Sequence, residues 1–143
     1  MVCIRKAVPQ DLDVIKSLVD AHKYELGFVL RPALLNSIQD NEVFIAVEGE
    51  NLLGMLEYHH RRDIQTTLYH LVVSSERHRQ NIGSQLIRAL ESEARQLGKH
   101  YIQLKCPEDL PANSFYQNLG FELFAVENGR ARKLNVWRLS LTT

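Results

Sequence analysis

The chain lacks most of what would commit it to an extracellular, membrane or nucleic-acid setting. It has only two cysteines, Cys3 and Cys106, far apart and in strand-like contexts. Two such residues make no disulfide framework, so both read as buried thiols in a reducing compartment. No apolar run approaches the ~20 residues of a membrane span, and Met1–Val8 lacks an extended apolar leader. The expectation is a cytoplasmic protein without a membrane partner. Net charge is also missing, since 17 basic residues balance 17 acidic ones. Without it there is no general attraction to nucleic acid or to an anionic surface. Arg61-Arg62 is a single basic cluster and reads as a solvated turn. Metal-ligand spacings of the Cys-x-x-Cys or His-Glu-x-x-His kind are absent. His59 and His60, as adjacent strand residues, point to opposite faces and cannot easily share an ion. No metal is expected.

What is present suits one domain spanning residues 1–143, with 45% hydrophobic residues for a core. Residues 3–8 alternate and stop at Pro9, a first strand. Asp11 can cap a helix over residues 12–22, where Leu12, Ile15, Leu18 and Val19 make the apolar stripe. After a loop around residues 25–31, Pro32 suits the first turn of a short helix to about Gln39. Residues 43–48 and 52–60 are strand-like runs joined by Glu48-Gly49-Glu50-Asn51, a hairpin signal. Residues 65–73 are a third strand.

The second half changes period. Ile82, Leu86, Leu90, Ala94 and Leu97 recur at helical spacing, with Gly98 placed to end the helix. Residues 101–105 form a strand, and strand–helix–strand order implies a parallel crossover with residues 65–73. A short helix over 113–119 stops at Gly120, and strands at 121–127 and 134–141 close the chain as a hairpin. The predicted fold is α/β (α+β), with a central mixed, mostly antiparallel sheet flanked by helices and one parallel pair at its centre.

Chemistry concentrates in residues 74–84, Ser-Ser-Glu-Arg-His-Arg-Gln-Asn-Ile-Gly-Ser. A buried strand ends, a polar turn follows, and a long helix begins at Gly83. A helix start offers unpaired N–H groups and the positive end of the dipole, which suits a phosphate. Gly83 admits a ligand close to the backbone, Asn81 tolerates a left-handed conformation, and Arg77, His78 and Arg79 add positive charge. An ordinary loop with solvated charges has the same composition, and spacing does not separate the two.

The segment resembles the acetyl-CoA signature of the GNAT acyltransferases, Arg/Gln-x-x-Gly-x-Gly/Ala after a strand ending in a Val-like residue. Gly83 matches the second glycine and Ile82 the branched residue before it. Asn81 stands at the first glycine and His78 at the leading Arg/Gln. Farther on, Asn113-Ser114-Phe115-Tyr116-Gln117-Asn118-Leu119-Gly120-Phe121 is similar to the family's Phe/Leu-Tyr-x-x-x-Gly-Phe segment. With both motifs in order, the resemblance covers essentially the whole chain.

The resemblance implies an N-acetyltransferase with acetyl-CoA as cosubstrate and a primary amine of a small molecule, amino acid or peptide as acceptor. It implies direct attack in a ternary complex, so neither cysteine is needed as a nucleophile. The backbone of Leu71, Val72 and Val73 would pair with the pantetheine arm. Arg77, His78, Arg79, Gln80, Asn81, Ile82, Gly83 and Ser84 would hold the pyrophosphate, with Asn113 and Tyr116 as further cofactor contacts. Tyr116 would protonate the departing thiolate. Positions where some relatives carry a base correspond to Thr67 and Tyr69. Tyr69 could relay a proton through water, and Glu57 is the carboxylate on the neighbouring strand, although its simplest reading is outward-facing. His70 alternates to the face opposite Tyr69.

Acceptor choice would rest on residues 22–31, the strands bearing Glu57 and Tyr69, and the basic loop 128–133 with Arg130, Arg132 and Lys133. That loop reads as a solvated tip, and Trp137 as core. An alternative of another class is a catalytically lapsed acyl-CoA-binding domain. The exposed terminal hairpin leaves both monomer and homodimer open.

Overall fold

Apolar spacing sets the helices and alternation the strands, and the elements that form end within a residue or two of those expectations. The computed structural model describes residues 1–74 and 81–142. In order, the chain forms β1 (Cys3–Lys6), a 3₁₀ turn (Pro9–Asp11), α1 (Leu12–Ala21), α2 (Lys23–Leu26), α3 (Arg31–Gln39), β2 (Val43–Glu48), β3 (Asn51–His60) and β4 (Gln65–Val73). Then come α4 (Ile82–Gln96), β5 (Tyr101–Pro107), α5 (Ala112–Asn118), β6 (Glu122–Asn128) and β7 (Lys133–Ser140). Strand order is β1-β2-β3-β4-β5-β7-β6. β4 and β5 pair parallel, whereas β1–β2, β2–β3, β5–β7 and β6–β7 pair antiparallel, giving the mixed sheet expected from the sequence.

The backbone divides into two compact units. The first comprises Met1–His59 and His70–Leu90. Its core is one cluster in which Ile15 and Val19 of α1 and Leu34 and Ile38 of α3 meet Val43, Ile45, Met55 and Val72 from the strands. The helical residues repeat at i, i+4, so each helix turns one apolar stripe toward the sheet. Truncating a fully buried leucine such as Leu34 costs about 2–5 kcal/mol. Gly54 sets how closely β3, β4 and α4 approach. A Cβ there would lie 2.9 Å from the Val72 carbonyl oxygen and 3.1 Å from Ile82 Cγ2.

The second unit comprises His60–Tyr69 and Glu91–Thr143. Ile102 and Leu104 of β5, Val136 and Leu139 of β7, and Phe121 are buried in it. Trp137, expected in the core, is 6% exposed, and its Nε1 donates to Asn113 Oδ1 at 2.8 Å.

Three expectations are corrected. Cys3 is exposed, because β1 alternates exposed and half-buried residues along its whole length; Cys106 is buried as expected. The Asp11 carboxylate does not cap α1. It accepts the Val8 N–H at 2.8 Å and pairs with Arg5 at 2.9 Å, closing the 3₁₀ turn and ending β1 early. The Arg5 guanidinium holds that carboxyl below its usual range. Finally, helix α2 occupies residues that read as an interhelical loop; four residues are too few to show a period.

Candidate active site

β4 carries most of the candidate residues, and its backbone divides their fates. Its parallel pairing with β5 is limited to Gln65↔Tyr101, Thr66↔Ile102 and Thr67↔Gln103, although β4 continues to Val73 and β5 to Pro107. In the second unit, where that pairing ends, lies a groove of about 440 Å³. Arg61, Gln65, Thr67 and Tyr69 line it on one side and Gln103 and Lys105 on the other, with Leu68 and Leu104 completing the lining. Positions 65, 67 and 69 share one face of the strand, as do 103 and 105. Their amides are held in place. Gln65 Nε2 donates to Thr67 Oγ1 at 2.8 Å, the Tyr101 hydroxyl donates to Gln65 Oε1 at 3.1 Å, and Arg138 Nε donates to Gln103 Oε1 at 2.8 Å. Tyr69 stands 48% exposed in this groove.

One residue farther along β4, His70 turns the other way, within the first unit. Its Nδ1 lies 2.6 Å from Glu57 Oε1, and Ser37 Oγ donates to Glu57 Oε2 at 2.6 Å. Glu57 is 5% exposed, which corrects its outward-facing reading. Both carboxylate oxygens are engaged, and Glu57 does not line the groove. Ser37 gave no signal in the sequence, since its partner lies on another element.

The end of β4 and the start of α4 belong to the first unit. The Val72 side chain is buried in the core cluster, and the Ser74 N–H donates to Leu53 O at 2.8 Å. Arg77, His78, Arg79 and Gln80 lie outside the described residues. Asn81 adopts the left-handed conformation, φ 57°, and its carbonyl accepts the first α4 bond, from Gln85 N at 3.0 Å. The N–H groups of Ile82, Gly83 and Ser84 therefore have no acceptor within the helix. They head a 15-residue helix whose dipole is positive at this end. The helix starts one residue before the expected Gly83, because Asn81 already makes the turn.

In the second unit, Tyr116 of α5 is 7% exposed, edge-on to Phe115 and Phe121 with centroids 5.4 and 5.5 Å away. Its hydroxyl has no hydrogen bond among the described residues. Burial pushes its ionisation well above the usual phenol range, so it stays protonated. Asn113, expected among the cofactor contacts, uses its side chain inside the protein. Its Nδ2 donates to Pro107 O and Leu110 O at 2.9 and 2.8 Å, and its Oδ1 accepts from Trp137 and from Asn135. It holds the β5–α5 connection. In the hairpin tip, Arg132 pairs with Asp109 at 3.0 Å. Among the other histidines, His59 pairs with Glu42, and His60 sits between Thr66 and Glu93.

A mixed sheet whose parallel pair β4–β5 parts after three residues, with a left-handed residue opening the helix after β4, is, among the described residues, the arrangement of the GNAT fold. The chain belongs to the acetyltransferase (GNAT) family, whose model matches residues 13–121, and is by that membership an acyltransferase. Solved structures share the fold at low identity. Ard1 from Thermoplasma volcanium is 16% identical, with 99% of each chain covered and a TM-score of 0.89. The PaiA N-acetyltransferase from Thermoplasma acidophilum, in complex with coenzyme A, is 20% identical over 98% of this chain and 99% of that one, with a TM-score of 0.81. N-acetylglutamate synthase from Neisseria gonorrhoeae, complexed with coenzyme A and N-acetylglutamate, is 19% identical, with a TM-score of 0.86 over all of this chain and 36% of that one. No curated protein sequence matches significantly. Among the described residues, no helix is long and apolar enough to cross a membrane.

Proposed function

We propose that the protein transfers the acetyl group of acetyl-CoA to a primary amine of a small molecule, amino acid or peptide, by direct attack in a ternary complex. The single observation that carries this reading is the parting of β4 from β5 after Thr67, within a chain of the GNAT family. A strand that loses its neighbour can pair with an extended ligand instead, and the backbone of Leu71, Val72 and Val73 is assigned to the pantetheine arm. The N–H groups of Ile82, Gly83 and Ser84 receive the pyrophosphate, with Asn81 shaping the approach and Arg77, His78, Arg79 and Gln80 supplying the preceding turn.

In the reaction the amine, having lost a proton to water through Tyr69, forms a C–N bond to the thioester carbonyl. The C–S bond breaks, Tyr116 donates a proton to the departing sulfur, and the proton shed by the new amide nitrogen returns through water to Tyr116. The products are the amide and free coenzyme A. The hydroxyl keeps its proton at neutral pH and so has one to give, although burial makes it a weaker acid than a free phenol. The saturated hydrogen bonding of Glu57 favours a structural role over that of base, and Asn113 acts by holding the segment that carries Tyr116.

The test is thiol release from acetyl-CoA across a panel of primary amines, with a thermal-shift titration alongside. Stabilisation by acetyl-CoA together with amine-dependent thiol release is the expected result. Stabilisation without release from any amine would instead favour a lapsed acyl-CoA-binding domain, and neither effect would remove the reading altogether.

A further inference from the structure

The groove beside Tyr69 has a charge character that says what it admits. Arg61 and Lys105 line it, and among the described residues no carboxylate does. The two cations differ in availability. Lys105 Nζ is paired with Glu127 at 2.8 Å, whereas the Arg61 guanidinium has no ion-pair partner among the described residues. The Arg61 backbone, in contrast, is fixed at both ends. Its N–H donates to Gln65 O at 2.9 Å, and its carbonyl accepts from Lys99 Nζ at 2.5 Å. The carboxylate nearest in sequence, Asp63, accepts the Gln65 N–H at 2.9 Å. A pinned backbone carrying an uncompensated guanidinium at the end of a polar groove is an arrangement suited to an anion.

We propose that the groove binds an acceptor carrying an anionic group, a carboxylate in the simplest case, with Arg61 as its anchor and the amine directed along β4 toward Tyr69. This rests on the acetyl-transfer reading only for the fate of the amine; the anion preference stands on the groove itself. The side chains of Gln65, Thr67 and Gln103 line the space between and suit a polar or amide-bearing linker. From Gln65 to Tyr69 the strand advances about 13 Å, more than an extended six-carbon amine spans, so such a probe needs the long Arg61 side chain to reach along the groove toward its carboxylate. A diamine or polyamine is disfavoured, since its far ammonium would meet Arg61 and Lys105.

The test uses three probes of equal length, 6-aminohexanoate, hexylamine and 1,6-diaminohexane, with binding measured by calorimetry on the wild-type chain, Arg61→Gln and Arg61→Glu. The wild type should bind the carboxylate at least about tenfold tighter than the diamine; Arg61→Gln should erase the difference and Arg61→Glu reverse it. Both variants change an exposed turn side chain, and unchanged melting temperatures would confirm that the fold is kept. Equal binding of all three probes, preference for the diamine, no binding of any probe, or a preference unmoved in both variants would overturn the proposal. Thiol release from acetyl-CoA with the same probes separates it from the parent reading. Binding of 6-aminohexanoate with no release from any amine sinks acetyl transfer and keeps the groove. Release that is fastest with hexylamine or the diamine does the opposite.

Discussion

Two buried tyrosines, one in each compact unit, show how differently this chain treats the same side chain. Tyr58 on β3 is fully buried, and its hydroxyl is satisfied: Lys6 Nζ donates to it at 2.6 Å, and it donates to Asn41 O at 3.1 Å. Its ring stacks on Phe44 with centroids 5.4 Å apart. Tyr116 on α5 is nearly as buried and equally well packed by aromatic rings, yet its hydroxyl has no partner among the described residues. No buried side-chain oxygen or nitrogen among the described residues lacks a partner, so the unbonded Tyr116 hydroxyl keeps some access to solvent. Tyr58 is therefore the internally bonded tyrosine, and the unbonded tip of Tyr116 is compatible with the donor role proposed for it.

The sharpest way to break this comparison is Tyr116→Phe. The ring and its packing remain, and only the proton donor is lost. Loss of a general acid lowers rates by a factor on the order of 10²–10⁴, so kcat for amine-dependent thiol release should fall about 100-fold with an almost unchanged melting temperature. The wild-type hydroxyl also has a pH signature. Its ionisation is raised in the folded state, so its contribution to stability is complete below the ordinary phenol range and is lost as pH rises from there through the higher folded value. Tyr116→Phe should remove that alkaline component from the pH dependence of melting. Unchanged turnover in the variant would take Tyr116 out of the reaction.

Next in size is Glu57→Gln. The amide can keep only part of what the carboxylate does with Ser37 and His70, so stability should fall by about 1–3 kcal/mol. Turnover per folded molecule should hold, with no shift in its pH profile. A hundredfold loss of kcat at unchanged stability would restore Glu57 as the base. The sequence shows why this residue was hard to read. Its partners are 20 and 13 positions away, one on a helix and one on another strand, and alternation alone says which face a residue takes but not what covers it. The segments that were legible are those whose signal is local. β2 and β3 have long apolar runs, β4 is rich in strand-forming Thr, Tyr and Val, α4 has a sustained helical repeat, and Asn81 is one of the few residue types that tolerates the left-handed turn it makes. The groove was half legible. Thr67 and Tyr69 were in view as strand positions, but Gln103 and Lys105 join them only because β5 pairs in parallel at that register.

The third prediction tests the satisfied tyrosine directly. Tyr58→Phe should reduce stability by about 1 kcal/mol, because Lys6 and the Asn41 carbonyl lose a shared partner in a half-buried place. Lys6 keeps its contact with Asn41 O and its position 4.8 Å from the Phe44 ring centroid, which limits the loss. Urea unfolding measures it, with acetyl transfer unaffected. A loss of kcat here as large as that of Tyr116→Phe would end the distinction between the two tyrosines.

The smallest effect extends the comparison to the cysteines, again one per unit. Cys3 on β1 is exposed, whereas Cys106 on β5 is 5% exposed and burial pushes its thiol up to about 11. A maleimide or iodoacetamide reacts with the thiolate, and at pH 8 a thiol of that acidity is ionised in only about one molecule in a thousand. Intact mass spectrometry of the native protein at pH 8 should show one added label, mapped to Cys3, with the second appearing only in denaturant. The sign with pH follows from the raised value. The folded state favours the protonated thiol, so its small contribution to stability is present below the ordinary thiol range and fades as pH climbs through about 11. Raising the pH toward that value should therefore speed labelling of Cys106 in two ways, through more thiolate and through more frequent opening. Early double labelling at pH 8 would mean that the β5 face of the second unit opens far more often than its packing around Tyr116 allows.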